Sequence, residues 1–144
     1  MKNPLQTIEE YELFLYTLQE SFPSIKQSTV VLIRRGVSLA KSTGEIYFDK
    51  GFRLVVRERL LFDRQPGVID WYGYEIWKNN KKLCWYDSQP HPDDTKLAIS
   101  YPHHKHIPPN INRNRINAPQ ITFSKPNLPL IIREIEELID KENQ

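Results

Sequence analysis

At 144 residues the chain is sized for one domain, and its 39% apolar content supplies one core, not two. Charged residues at 26% and aromatics at 11% exclude a disordered chain, and no run of about 18 apolar residues offers a membrane span. The net charge of +2 is small but uneven: residues 50–125 carry 13 Lys and Arg against 7 Asp and Glu, a net of +6, whereas the flanks carry 7 against 11, a net of −4. A basic middle suits nucleic acid or an acidic partner; it equally suits basic strands facing acidic helices.

The N-terminus runs directly from Met1-Lys2-Asn3-Pro4 into a polar amphipathic stretch, so no signal peptide and a cytoplasmic location are expected. Cys84, the single cysteine, fits a reducing compartment and reads as small buried filler in a strand. Thr7-Ile8-Glu9-Glu10 is a capping box, and Ile8, Tyr11, Leu15, Leu18 and Phe22 recur at helical spacing before Pro23. One helix over 5–22 is therefore expected, its buried face widened by Leu13 and Phe14. Antiparallel strands are expected over 28–88. Ser28–Ile33 is short and β-branched; Gly36 and Gly44 read as turns around a weaker strand at Val37–Lys41, with Glu45–Phe48 as another. Phe52–Phe62 sorts Phe52, Leu54, Val56, Glu58, Leu60 and Phe62 to one side and Arg53, Val55, Arg57, Arg59 and Leu61 to the other. Pro66-Gly67 turns the chain into Val68–Lys78, and Asn79-Asn80-Lys81 turns it again into Lys82–Asp87.

Residues 90–119 hold six of the eleven prolines, so 90–125 is expected to be a Pro/His-rich loop region with short extended pieces at Leu97–Tyr101 and His104–Ile107. A closing helix over 127–142 carries Leu128, Ile131, Ile132, Ile135, Leu138 and Ile139 as its apolar stripe, with Asn127 as N-cap. The fold class is α+β in a single domain, 1–144: an antiparallel meander sheet with an N-terminal and a C-terminal amphipathic helix packed on one face. The other face then carries arginines and aromatics.

All four histidines, His91, His103, His104 and His106, fall in the proline-rich window. In extended backbone His104 and His106 share a face, with His103 and Lys105 opposite. Imidazoles titrate near pH 6.5 and can serve as general base and general acid for RNA cleavage. One takes the proton of a ribose 2′-OH and the other protonates the leaving 5′-oxygen. Lys105, or Arg53, Arg57 and Arg59, would hold the phosphate. Tyr72, Tyr74, Trp85 and Tyr101 would stack bases, and core packing is more expected of Trp71 and Trp77 than of Tyr72 and Tyr74. This scheme needs neither metal nor cofactor, and none is expected. A metal reading stays open, with His91, His104 and His106 joined by Asp87 or Asp93. So does a loop whose histidines only bond the backbone. Glu58, a carboxylate among apolar neighbours, is a secondary candidate: paired with a buried base, turned out by a bulge, or part of an exposed Arg57-Glu58-Arg59 edge.

Three pieces in fixed order carry a family resemblance: the aromatic strand Tyr72-Gly73-Tyr74-Glu75-Ile76-Trp77; then Trp85-Tyr86-Asp87 with Pro90-His91; then Tyr101-Pro102-His103-His104-Lys105-His106, followed by a short amphipathic helix. This resembles the TumE-like family of prokaryotic toxins, whose members show a Tyr-x-Tyr strand, an aspartate strand, Asn-x-Pro-His and Pro-His-His-x-His before a final helix. The resemblance covers roughly residues 52–140, leaving the N-terminal helix and Ser28–Phe48 outside the family core. It places Tyr72, Tyr74, Asp87, His91, His103, His104 and His106 in the shared region. It implies a toxin acting on RNA or another part of translation and silenced by a cognate antitoxin. A metal-independent endoribonuclease using the His104/His106 pair is the reading taken from the histidines themselves. A non-enzymatic nucleic-acid- or protein-binding module and a metal-dependent hydrolase are the alternatives.

Overall fold

The computed structural model describes residues 2–144. Its strands are β1 (Gln27–Ser28), β2 (Val31–Arg35), β3 (Leu39–Tyr47), β4 (Phe52–Leu61), β5 (Val68–Lys78), β6 (Lys81–Asp87), β7 (His104–His106) and β8 (Arg115–Asn117). Its helices are α1 (Ile8–Tyr16), α2 (Leu18–Ser21) and α3 (Leu128–Glu142). The strands form one antiparallel sheet in the order β1-β3-β4-β5-β6-β7-β8, with β2 beside β1 on the outer edge of β3. From β3 onward every strand pairs with its neighbour in sequence, so the fold is an α+β meander. No helix is long and apolar enough to cross a membrane among the described residues.

Alternation on β4 decides which face is covered. Phe52, Leu54, Val56 and Leu60 are buried with Ile69, Tyr72, Tyr74 and Ile76 of β5. Ile8, Tyr11 and Leu15 of α1, Leu18 of α2, and Leu128, Ile131, Ile132 and Ile135 of α3 close over them as a single core. Burying one such side chain contributes about 1.5–3 kcal/mol. Glu58 sits in this face and is 2% exposed. Its Oε1 accepts from Tyr11 Oη and Ser42 Oγ, each at 2.7 Å, and its Oε2 from Tyr74 Oη. Burial raises its pKa, and the three hydroxyl donors pull the other way. Glu58 thus points inward, as one sequence alternative had it, but its partners are three hydroxyls and not a buried base.

Several expectations are corrected. The helix expected over 5–22 is interrupted at Thr17, where Thr17 Oγ1 donates to the Leu13 carbonyl and the backbone leaves helical angles. Leu13 does not widen the buried face; it is 64% exposed. Gly44 is not a turn but lies within β3, and the two weak strands expected there are one. At Gly44 the Thr29 carbonyl and Val30 Cα come within 2.6 Å of where a Cβ would stand, an approach that only glycine permits. Opposite it, the strand expected at Ser28–Ile33 is split into β1 and β2 because Thr29 Oγ1 accepts the Glu45 N–H at 2.9 Å. Leu97–Tyr101 is not extended: Thr95–Leu97 is a 3-10 turn started by Asp94. Asn127 precedes α3 without capping it; its side chain instead holds Thr122 and Tyr74 Oη.

Candidate functional site

The outer face of the sheet carries no helix. On it, β6 presents Trp85 and Asp87, and β7 pairs with β6 so that Asp87 lies opposite His104 and Trp85 opposite His106. Residues directly opposite in an antiparallel ladder share a face, so four chemically active side chains stand together. The alternation that brings His104 and His106 to this face sends Lys105 to the other. There Lys105 Nζ donates to Glu134 Oε2 of α3 at 2.6 Å, beside Tyr86, whose Oη donates to Glu134 Oε1 at 2.5 Å. Lys105 therefore does not hold phosphate next to His104 and His106.

The two imidazoles are buried, His104 at 0% and His106 at 4% exposure. His104 Nδ1 lies 3.0 Å from the Pro102 carbonyl and His106 Nδ1 2.8 Å from the Ile111 carbonyl. A carbonyl only accepts, so both Nδ1 atoms carry hydrogen and both Nε2 atoms turn inward. Inward, His104 Nε2 is 2.9 Å from Asp87 Oδ1, His106 Nε2 is 3.3 Å from Asp87 Oδ2, and the two Nε2 atoms are 3.1 Å apart. Asp87 is fixed from outside by Trp85 Nε1–H on Oδ2 at 2.8 Å and by the Gln89 N–H on Oδ1 at 3.1 Å. Trp85 also stacks on His106, their centroids 3.9 Å apart. His91, carried by the loop after β6, meets His104 edge-on with centroids 4.8 Å apart. One donor atom from each of Asp87, His91, His104 and His106 can be chosen so that all four lie within 4.8 Å of one another.

Charge follows from this geometry. Burial works against ionised Asp87, but hydrogen bonds from His104, His106 and Trp85 outweigh it and hold the carboxyl below the usual range. Burial likewise works against a charged His104, and the Asp87 carboxylate and the Pro102 carbonyl outweigh it and raise its pKa. His91 is lowered, first by burial and then by the positive charge of Arg115. Cys84 faces the helix side; burial first, then the negative Glu134, pushes its thiol up to about 12, which keeps it an inert thiol.

Beside the cluster an open cleft of about 530 Å³ is lined by Pro90, His91, Pro92, Asp93, Asp94, Lys96 and Arg115. Arg115 reaches Asp94 at 3.6 Å, and its Nε is buried with no hydrogen-bond partner among the described residues. The cleft thus carries two cations, Lys96 and Arg115, beside two carboxylates, Asp93 and Asp94, and His91 lines it too.

The sequence candidates sort cleanly. His91, Asp87, His104, His106 and Trp85 are brought together. Asp93 lines the cleft but stands outside the four-donor cluster. His103 is separated from the others: it shares a 2.7 Å hydrogen bond with Tyr72 Oη and packs on Phe123, on the helix side. Tyr72 and Tyr74 are fully buried and stack on each other, so they cannot stack bases, whereas Trp71 is 40% exposed. This reverses the expected order of tryptophans and tyrosines. The reason is parity: alternation sets Tyr72 and Tyr74 inward with Ile76 and turns Trp71 and Trp77 outward, while Asp70, an extra residue where Arg59 pairs with Trp71 but Leu60 with Ile69, brings Ile69 back to the buried face. Arg57 and Arg59 lie on the outer face, Arg57 loosely held by Glu75 at 3.6 Å and Arg59 donating Nε–H to Asp70 Oδ1 at 2.8 Å. Arg57 belongs to the same cross-strand row as Asp87, with only Gly73 between them. Tyr101 is exposed at the loop. Neither Lys96 nor Arg115 is a cleft candidate in the sequence: Arg115 lies in the Asn/Arg-rich stretch 110–115, and nothing local marks Lys96.

No curated protein and no solved structure matches the chain. The family model described as toxin TumE matches residues 15–139, taking in the 28–48 strands that the sequence motifs had left outside. With that match over most of its length, the chain belongs to the TumE family of toxins.

Proposed function

We propose that the chain is the toxin of a toxin–antitoxin module and that it cleaves RNA at the Asp87–His91–His104–His106 centre. The carrying observation is the convergence of one carboxylate and three imidazoles at the wall of a cleft that also holds Lys96 and Arg115. Phosphodiester cleavage needs a centre that stabilises developing charge and cations that seat the phosphate. Lys96 and Arg115 would serve the second task, Arg115 exchanging its contact with Asp94 for the phosphate. Arg57, Arg59, Trp71 and Trp85 on the same open face offer charge and stacking to a single strand.

The geometry bears on how the histidines act. A free acid–base pair needs a ring nitrogen turned to substrate on each imidazole, yet His104 and His106 commit Nδ1 to backbone carbonyls and Nε2 to Asp87. The two rings therefore work as one unit through Asp87, and half-buried His91 is the member that meets the cleft. A cognate antitoxin is the partner expected of this family.

The test is induced expression in a bacterial host of the wild type, the His104→Ala/His106→Ala double variant and His103→Ala, with total RNA run on a gel and folding of each checked by circular dichroism. Arrest with fragmented RNA in the wild type and His103→Ala, lost in the folded double variant, is expected. Arrest with intact RNA would replace this reading by a non-enzymatic binding module. Healthy growth in all three would remove the toxin assignment for this chain.

A further inference from the structure

The inner side of the cluster holds more acceptors than hydrogens. Pro102 and Ile111 consume the Nδ1 hydrogens of His104 and His106, so two neutral rings would set a pair of Nε2 lone pairs, 3.1 Å apart, against a carboxylate. Such an arrangement is costly in a buried site. A proton on one ring still leaves the other ring's Nε2 lone pair against the carboxylate. A single cation at the common centre relieves every one together.

The separations suit that cation. His104 Nε2 is 2.9 Å from Asp87 Oδ1 and 3.1 Å from His106 Nε2, and His106 Nε2 is 3.3 Å from the other carboxylate oxygen, Oδ2. Bonds of about 2.0–2.1 Å in a tetrahedral site set donors about 3.3 Å apart. The fourth donor, His91, is within 4.8 Å of the others and closes in from the loop after β6. The surroundings are also those of a ligand set: each buried histidine is oriented by a backbone carbonyl on its far nitrogen, and the carboxylate by Trp85 and Gln89.

We infer that Asp87, His91, His104 and His106 bind one divalent first-row transition ion. Three nitrogens and one oxygen exclude a site built for magnesium or calcium, which take oxygen donors. The ion lies where the cluster meets the cleft, so His91 is the ligand at the open side, and a substrate phosphate oxygen can approach from there. The inference rests on donor geometry and stands apart from the RNA reading, which it deepens by naming the ion at the same centre.

Zinc is the probe, because it ranks high in affinity for such donors. The full chain, stripped with a chelator and dialysed, is titrated with zinc chloride by calorimetry, alone and against a competing chelator. One zinc per chain is expected, with His91→Ala weakening binding at least about tenfold while its circular dichroism is unchanged. X-ray absorption at the zinc edge is expected to show imidazole and oxygen donors. A folded wild type that takes up no stoichiometric zinc overturns the inference, as does equal affinity in the wild type and a folded His104→Ala/His106→Ala variant. Zinc binding without RNA cleavage would leave the metal site and remove the function proposed above. RNA cleavage by a chelator-stripped chain that binds no zinc would do the reverse.

Discussion

Glu58 shows what one residue's environment does to the whole chain's response to pH. Its folded pKa is raised above the ordinary 4.5, with burial as the first cause. The folded state therefore keeps a proton that the unfolded chain has released, and stability falls as pH rises from about 4.5 through the folded value. Glu58→Gln removes that slope while still offering Tyr11, Ser42 and Tyr74 a partner, so denaturation midpoints for this variant are expected to be flatter with pH than the wild type's. Glu58→Leu instead strands three buried hydroxyls at about 1–3 kcal/mol each, and a loss of roughly 3 kcal/mol or more is expected in urea titrations. The same contrast separates neighbouring histidines. His103→Ala is expected to lower stability through Tyr72 and Phe123 and to leave RNA cleavage intact, whereas His104→Ala abolishes it.

At the scale of elements, strand parity is what the sequence told best. Alternation over Phe52–Leu61 placed Glu58 with the apolar face and the arginines on the other, as the folded β4 has them. The extra residue Asp70 was not legible, because a bulge depends on pairing with another strand, and Tyr72 and Tyr74 were misplaced because residue type was weighed ahead of their alternation with Ile76. Gly44 was misread for a related reason: glycine as a turn and glycine under a crossing backbone look alike in one dimension. Gly44→Ala is expected to cost about 2 kcal/mol or more, since a Cβ would meet backbone at 2.6 Å at a φ of 149°, and thermal melting measures it directly. The histidine window was legible as chemistry but not as geometry. Pairing His104 with Asp87 required β6 and β7 to lie side by side across a 16-residue connection that contains Pro90, Pro92 and Pro102. The three-residue β8 carried no periodicity long enough to read.

Across the whole molecule, the uneven charge noted in the sequence resolves into a division of faces. Acidic α3 supplies Glu134 to Lys105 on one side of the sheet, while Arg57 and Arg59 stand on the other with Asp87 and His104. RNA affinity is accordingly expected to fall steeply with salt, and Arg57→Ala to weaken binding with a smaller salt slope and an unchanged fold, measured by filter binding over a salt series. The position of the centre has one more consequence. It lies toward the end of the sheet, where β7 and β8 are three residues each and little main-chain pairing resists fraying. An ion gripping β6, the following loop and β7 would act as a rivet through that margin. The ion-free chain should then be nicked by trypsin at Lys96, Lys105 or Arg113 well before the rest of the molecule yields, and zinc should slow those cuts selectively. The same grip that serves chemistry would decide how long the toxin survives among cellular proteases.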